Sequence, residues 1–232
     1  MGPRTSEAEA LIKSIRALPS PAGTLVGGAA ASYTDSQDAI FSTLPMVLTW
    51  IAIGVLVLLF LFTGSIILPV KAVLLNIVSL AAMMGALTWI FQEGHLGFLV
   101  GSFTKTHDLD TSILILISIV TFGLSMDYEV FLLSRIKEEF ESGKSNDDSI
   151  AFGVQRSARM ITAAALLLSI AFAAFVTSGV TNLKVLGFGV AFAVLIDASV
   201  VRVLLVPALL HLFGSRTWWA PAWMKRFTIS ES

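Results

Sequence analysis

The sequence predicts an all-α membrane protein. Three observations carry this. Of the 232 residues, 56% are hydrophobic and 13% are charged, where soluble domains carry about 25% charged residues. The mean hydropathy is +0.85. The apolar residues gather into five continuous runs, roughly 41–62, 66–91, 111–133, 158–177 and 183–213, each near the ~20 residues that cross a bilayer as a helix. Their continuity argues against a membrane barrel, whose strands alternate apolar and polar residues. Backbone groups in lipid must also bond within their own segment, which selects helices.

Residues 1–40 precede the first run, are polar, and contain no cleavable signal peptide. The stretch "SEAEALIKSIRALPSP" predicts a short amphipathic helix with Ser6 as N-cap and Glu9 three residues on, stopped by Pro19 and Pro21. "GTLVGGAA" reads as a short strand, and "TDSQDAIFSTLP" as a helix that runs into the first span. One helix and one strand cannot bury a core of their own. Residues 1–40 therefore read better as the last piece of an extracytoplasmic domain than as a loose leader. Residues 41–213 form the membrane domain, and 214–232 an interfacial tail in which Trp218, Trp219 and Trp223 sit beside Lys225 and Arg226.

Orientation follows from Lys and Arg. With five spans, one side holds Lys71, Arg135, Lys137, Lys144, Arg156, Arg159, Arg216, Lys225 and Arg226, while the opposite loops hold Lys105 and Lys184. The positive-inside rule puts the first set and the C-terminus in the cytoplasm. The N-terminus, with Arg4, Lys13 and Arg16, then lies outside.

Ionisable residues inside the runs are the candidate functional groups, since a carboxylate at the bilayer centre costs at least ~2.5–3.5 kcal/mol. In "FGLSMDYEVFLLSRIKEEF" Asp127 lies eight residues before Arg135, about 12 Å deeper at helical rise and close to the midplane of a hydrocarbon layer about 30 Å thick. Tyr128 offers a phenol to a carboxylate. Glu129 is turned about 200° from Asp127 and reads as an acid reaching the interface. Gly123, one turn before Asp127, would let a neighbouring helix approach. In the last run Asp197 and Arg202 are flanked by long apolar stretches. Five residues on an α-helix is about 140° of rotation, so each is expected to find its partner on another helix, with Asp127 the first choice. Gly189, Ala193 and Asp197 share a row and predict a close-packing face that leads to the acid. Ala165, Ser169, Ala173 and Thr177 predict a tight helix interface on the fourth run, and Pro207 a kink in the fifth. Buried acids with a buried Arg make a proton or ion relay the first hypothesis. The competing reading is a structural ion pair that holds helices in register.

Other chemistry is poorly supported. Cys is absent and the three His are scattered, which argues against a metal site. The Gly-x-Ser of "GLSMD" lacks a His base at its depth, since His95 and His107 lie in an outer loop and His211 near the inner face. No Gly-rich phosphate loop is present, and the net charge of −1 gives no footing for nucleic acid.

The stretches "FGLSMDYEVFLLSRIKEEF", "VLIDASVVRVLLVPALLHLFG" and "WWAPAWMKR" resemble the MMPL family (mycobacterial membrane protein large) of the resistance-nodulation-division superfamily. The resemblance covers nearly the whole chain. Proteins of this family have two similar halves, each with one span, a large extracytoplasmic porter domain and five more spans. This chain resembles the end of the second half: a remnant of the α/β porter domain followed by the final five helices of the bundle. The resemblance implies a proton-motive-force-driven exporter of lipids or other hydrophobic molecules, not an enzyme, in a bacterial plasma membrane. It implies no cofactor beyond the proton gradient. The family's relay joins an Asp-Tyr pair from each half. Asp127 and Tyr128 match the second-half pair, and Asp197 and Arg202 match the acid and base of the last span. The first half, with its own Asp-Tyr pair, is the expected partner in the same or a separate chain, along with membrane lipids. A fragment inactive by itself is one expectation. A non-transporting structural or assembly subunit, or a degenerate relic, is the alternative.

Overall fold

A computed structural model describes residues 5–19, 24–96, 109–221 and 223–224. They divide into two compact units, Met1–Ile51 and Ala52–Ser232. In the first, α1 (Ser6–Arg16) starts at Thr5, whose hydroxyl accepts from the Ala8 amide. The cap thus lies one residue earlier than the Ser6 expected from the sequence. Arg16 holds α1 to the start of α2 (Ala29–Thr63) through a two-pronged pair with Asp35, Nη1 to Oδ1 at 2.5 Å and Nη2 to Oδ2 at 2.9 Å. The expected strand does not form: residues 24–27 are irregular, Gly28 turns at φ +111°, and Ala29 already begins α2.

The second unit contains the rest of α2 and the helices that follow it. These are α3 (Ile67–Leu87, extended by a π-turn over Thr88–Gln92), α4 (Thr111–Glu141), α5 (Asn146–Ala173) and α6 (Thr181–Ile196). After α6 the chain runs as π-helix over Asp197–Leu205 and returns to α-helix in α7 (Val206–Phe213). No strand occurs among the described residues. Five helical stretches are long and apolar enough to cross a membrane: Ala29–Thr63, Ile67–Gln92, Thr111–Glu141, Asn146–Thr177 and Thr181–Phe213. They coincide with the five apolar runs.

Local chemistry sets the joints. Gly64, at φ +71°, ends α2. Ser65, fully buried, accepts from the Ile67 amide at 3.1 Å and donates to the Thr217 carbonyl at 2.5 Å, tying the start of α3 to the C-terminal turn. Asp110 caps α4 by accepting from Ser112 at 3.0 Å, and Ser145 caps α5 by accepting from Asp148 at 3.2 Å. Two glycines mark close backbone approach. A Cβ on Gly153 would meet the Ile136 Cα at 2.8 Å, and one on Gly187 would meet the Phe172 carbonyl oxygen at 2.5 Å. The expected small-residue interface on α5 is half present: Ala165 and Ser169 are buried, whereas Ala173 and Thr177 are exposed. Pro207 stands where π-helix gives way to α-helix. Having no amide hydrogen, it cannot continue the ladder across that junction. Trp218 stacks on Phe140 with ring centroids 4.8 Å apart, while Trp219 and Trp223 are exposed. Lys225, Arg226, Lys105 and His107 lie outside the described residues.

Two large apolar layers, with a small third cluster of Leu59, Ala72 and Met126, make the core. One joins Met83, Leu87, Ile117, Val190 and Ala193, and the other Leu68, Leu132, Leu133, Ile136, Val201 and Leu210. On α4 the layers are separated by Thr121, Ser125 and Glu129, and on the last span by Asp197 and Arg202. A polar belt thus crosses the middle of an otherwise apolar bundle.

Candidate functional site

The belt is built on the π-helical run. In π-helix the hydrogen bonds run from i to i+5, so residue i+5 stacks over residue i; the Val206 amide donating to the Val201 carbonyl shows this register. Arg202 therefore lies directly above Asp197. Its Nε donates to Asp197 Oδ2 at 2.9 Å and its Nη2 to the same oxygen at 2.7 Å. The expectation that these two residues face apart is corrected: an α-helix would separate them, and the change of helical period brings them together.

Ser125 of α4 closes the cluster. Its hydroxyl donates to Asp197 Oδ1 at 2.9 Å, and Arg202 Nη2 also donates to the Ser125 carbonyl. The Arg202 guanidinium sits 5.2 Å from the centre of the Tyr128 ring, within the range of a cation–π contact. Asp197 and Arg202 are 4% and 2% exposed. Gly189, Ala193 and Asp197 form the buried row that the sequence predicted, with Gly189 against Ile117 and Leu87.

Asp127 is the second correction. The sequence places it with Tyr128, Asp197 and Arg202, yet its side chain is exposed and makes no hydrogen bond or ion pair with another described residue. The cause is helical phase. Ser125 and Glu129 point into the bundle, and Asp127, two residues from each, is turned about 200° away. Gly123 lies on this outer row, and a Cβ placed on it would meet nothing within 4 Å. Three of the four expected residues converge, and the fourth stands on the opposite side of the same helix.

Sequence reasoning missed a second ion pair. Lys71 Nζ of α3 lies 2.7 Å from Glu129 Oε1 of α4, and the two residues are 3% and 4% exposed. Glu129 does not reach the interface. It continues the Thr121–Ser125 row at a spacing of four, which is the signal that could have placed it inside. Lys71 interrupts the apolar "ILPVKAVLL" four residues into its helix, and the positive-inside count takes it as a cation of the cytoplasmic side.

Five helices long and apolar enough to cross a membrane, with a desolvated acid–base cluster between α4 and the last span, describe a multi-pass membrane protein. The chain belongs to the MMPL family, whose model matches residues 3–229, and with it to the resistance-nodulation-division superfamily. It is 40% identical over 225 residues to the membrane protein SCO6666 of Streptomyces coelicolor, covering 97% of this chain and 31% of that protein. It is 41% identical over 223 residues to the trehalose monomycolate exporter MmpL3 of Mycobacterium tuberculosis, covering 95% of this chain and 23% of the exporter. It is also 41% identical over 201 residues to the mycolic acid-containing lipids exporter MmpL11 of Mycolicibacterium smegmatis, with coverages of 87% and 21%. The chain thus spans less than a third of the length of these relatives, and the two named by activity are transporters rather than enzymes.

Proposed function

We propose that this chain is the proton-relay portion of a proton-driven exporter of lipids or other hydrophobic molecules. The observation that carries the reading is the Asp197–Arg202–Ser125 cluster, hydrogen-bonded and enclosed within an apolar bundle in a chain of the MMPL family. Intramembrane ionisable groups are expensive and belong by default to ion or proton pathways. Asp127, Tyr128, Asp197 and Arg202 are the relay residues. Tyr128 connects the two faces of α4: its ring lies over Arg202, and it is the chain neighbour of the outward Asp127. Asp127 meets the Asp-Tyr pair of the transporter's other half, supplied by sequence that this chain's match to its longer relatives does not cover. The names of MmpL3 and MmpL11 support a lipid substrate. The bundle end that carries Arg135, Lys137, Lys144 and Arg156 faces the cytoplasm, with the N-terminus on the opposite side.

Protonation of Asp197 would weaken its hold on Arg202 and free Ser125 to rotate, turning a proton into a change of helix contact. One proton crossing 100 mV supplies about 2.3 kcal/mol. The test is Asp197→Asn in the complete transporter, with export and membrane abundance measured together and an uncoupler as reference. The relay reading expects export per molecule of membrane protein reduced to the uncoupled level, over and above the fall in abundance that an unpaired Arg202 causes. Uncoupler-sensitive export at the wild-type rate by this variant would refute it.

A further inference from the structure

The relay as proposed ends at Asp197 and Arg202, and the Lys71–Glu129 pair has no part in it. Yet the pair stands on the same buried row as the cluster. Glu129 follows Ser125 by four residues, one helical turn, or about 6 Å along the axis. Arg135, at the charged end of α4, follows Glu129 by six residues, about 9 Å. Glu129 therefore lies between the Asp197–Arg202 cluster and that end of the bundle.

At both the pair and the cluster, buried polar atoms lack a hydrogen-bond partner among the described residues. Lys71 Nζ and Glu129 Oε1 approach to 2.7 Å, but at an angle outside hydrogen-bond geometry. Arg202 Nη1, in the cluster itself, is likewise buried with no hydrogen-bond partner among the described residues. Native interiors seldom leave such groups unanswered, and internal water with several polar partners is the usual answer.

We propose that the Lys71–Glu129 pair is the port by which protons leave the Asp197–Arg202 cluster for the charged end of the bundle. The inference rests on the relay reading above. A proton on the Asp197 carboxyl passes through hydrogen-bonded water to the Glu129 carboxylate. One O–H bond breaks on Asp197 and one forms on Glu129, and no electron changes hands. Asp197 is left ionised against Arg202, and Glu129 neutral beside Lys71. The charged groups around Glu129 are Lys71 from α3 and, a turn away, Asp197 and Arg202 from the last span; Asp127 lies on the far side of α4. Each ion pair alternates between net zero and +1, so the two ends of the hop are matched in charge. The uncompensated Lys71 ammonium then drives the proton off Glu129 toward bulk water.

The experiment compares wild type, Asp197→Asn, and the charge-neutral double variant Lys71→Met with Glu129→Gln, in the complete transporter. Removing both charges together avoids a lone buried ion, and if the pair only held helices in register the double variant should work normally. The port predicts wild-type abundance with export lower on the order of 100-fold, the scale of a lost proton-transfer group. It also predicts, in infrared difference spectra of vesicles taken through a pH step, loss of one carboxyl signal that Asp197→Asn retains. Wild-type export by the double variant while Asp197→Asn is inactive would overturn the port and leave the relay standing. Normal export by both would overturn the relay as well. If the double variant does not accumulate, Glu129→Asp decides: it keeps the acid and the pair but lengthens the hop, so the pH profile of export should shift, and an unchanged profile rejects the port.

Discussion

The two faces of α4 differ sharply over the seven residues from Gly123 to Glu129. On the inner face Ser125 and Glu129 are buried, and each meets a charged group from another helix, Asp197 and Arg202 in one case and Lys71 in the other. On the outer face Gly123 and Asp127 are exposed, and Asp127 meets no partner among the described residues. The inner face is thus complete within this chain, and the outer face carries a carboxylate at membrane depth. Burial alone would have nominated the inner acids and passed over Asp127. In the proposed transporter the outer row is where the other half docks, and Tyr128 is the bridge between the faces.

Breaking the inner face should have the largest effect on stability. Arg202→Met leaves Asp197 without its partner in the core, and removing one partner of a buried pair costs about 3–5 kcal/mol. The expected result is a large fall in membrane abundance and in the thermal midpoint of the detergent-solubilised protein. An Arg202→Met, Asp197→Asn double variant should recover most of the loss.

Next in size are the glycines behind the inner face. Gly153→Val and Gly187→Val force side-chain atoms onto the Ile136 backbone and the Phe172 carbonyl, and overpacking of this kind costs about 1–3 kcal/mol. Thermal unfolding of the two variants would show it. By contrast Gly123→Val on the outer row should leave the chain's own stability unchanged while lowering export, if that row meets the other half as in the proposed transporter. A matched loss of stability at Gly123 would erase the distinction between the faces.

Tyr128→Phe sharpens the comparison from the middle. The ring over Arg202 remains and only the hydroxyl is lost, which in the proposed transporter serves a hydrogen bond to the other half worth about 0.5–1.5 kcal/mol. Abundance should hold and export should fall modestly, less than for loss of either acid, in a transport assay normalised to membrane protein.

How far the sequence carried the reading depended on helical period. The five spans were legible because length and hydropathy govern them directly. The row Gly189–Ala193–Asp197 was legible because that stretch keeps the α period up to Asp197. The Asp197–Arg202 pair was not, since it forms only where the chain shifts to π-helix, and neither residue type nor spacing announces that shift. Asp127 was placed by depth, which fixes its height but not its direction; two residues of helical phase separate it from the interior. Glu129 reads as interfacial because it lies within two turns of the charged end of its helix, and Lys71 counts among the cations of the cytoplasmic side. Their mutual neutralisation is a tertiary fact that no single helix displays. The strand expected near residues 24–27 failed because Gly28 turns the chain straight into α2.

The measurement that bears most directly on the two-faced relay is export by Asp127→Asn in the complete transporter, at matched membrane abundance. Asn keeps the size of Asp and most of its hydrogen bonding but cannot release a proton. Because Asp127 is exposed within this chain and bonds to none of its described residues, the substitution should leave folding within about 0.5 kcal/mol of wild type. The account predicts normal abundance with export abolished. Export at the wild-type rate and wild-type abundance would contradict it, and would confine any proton chemistry to the inner face.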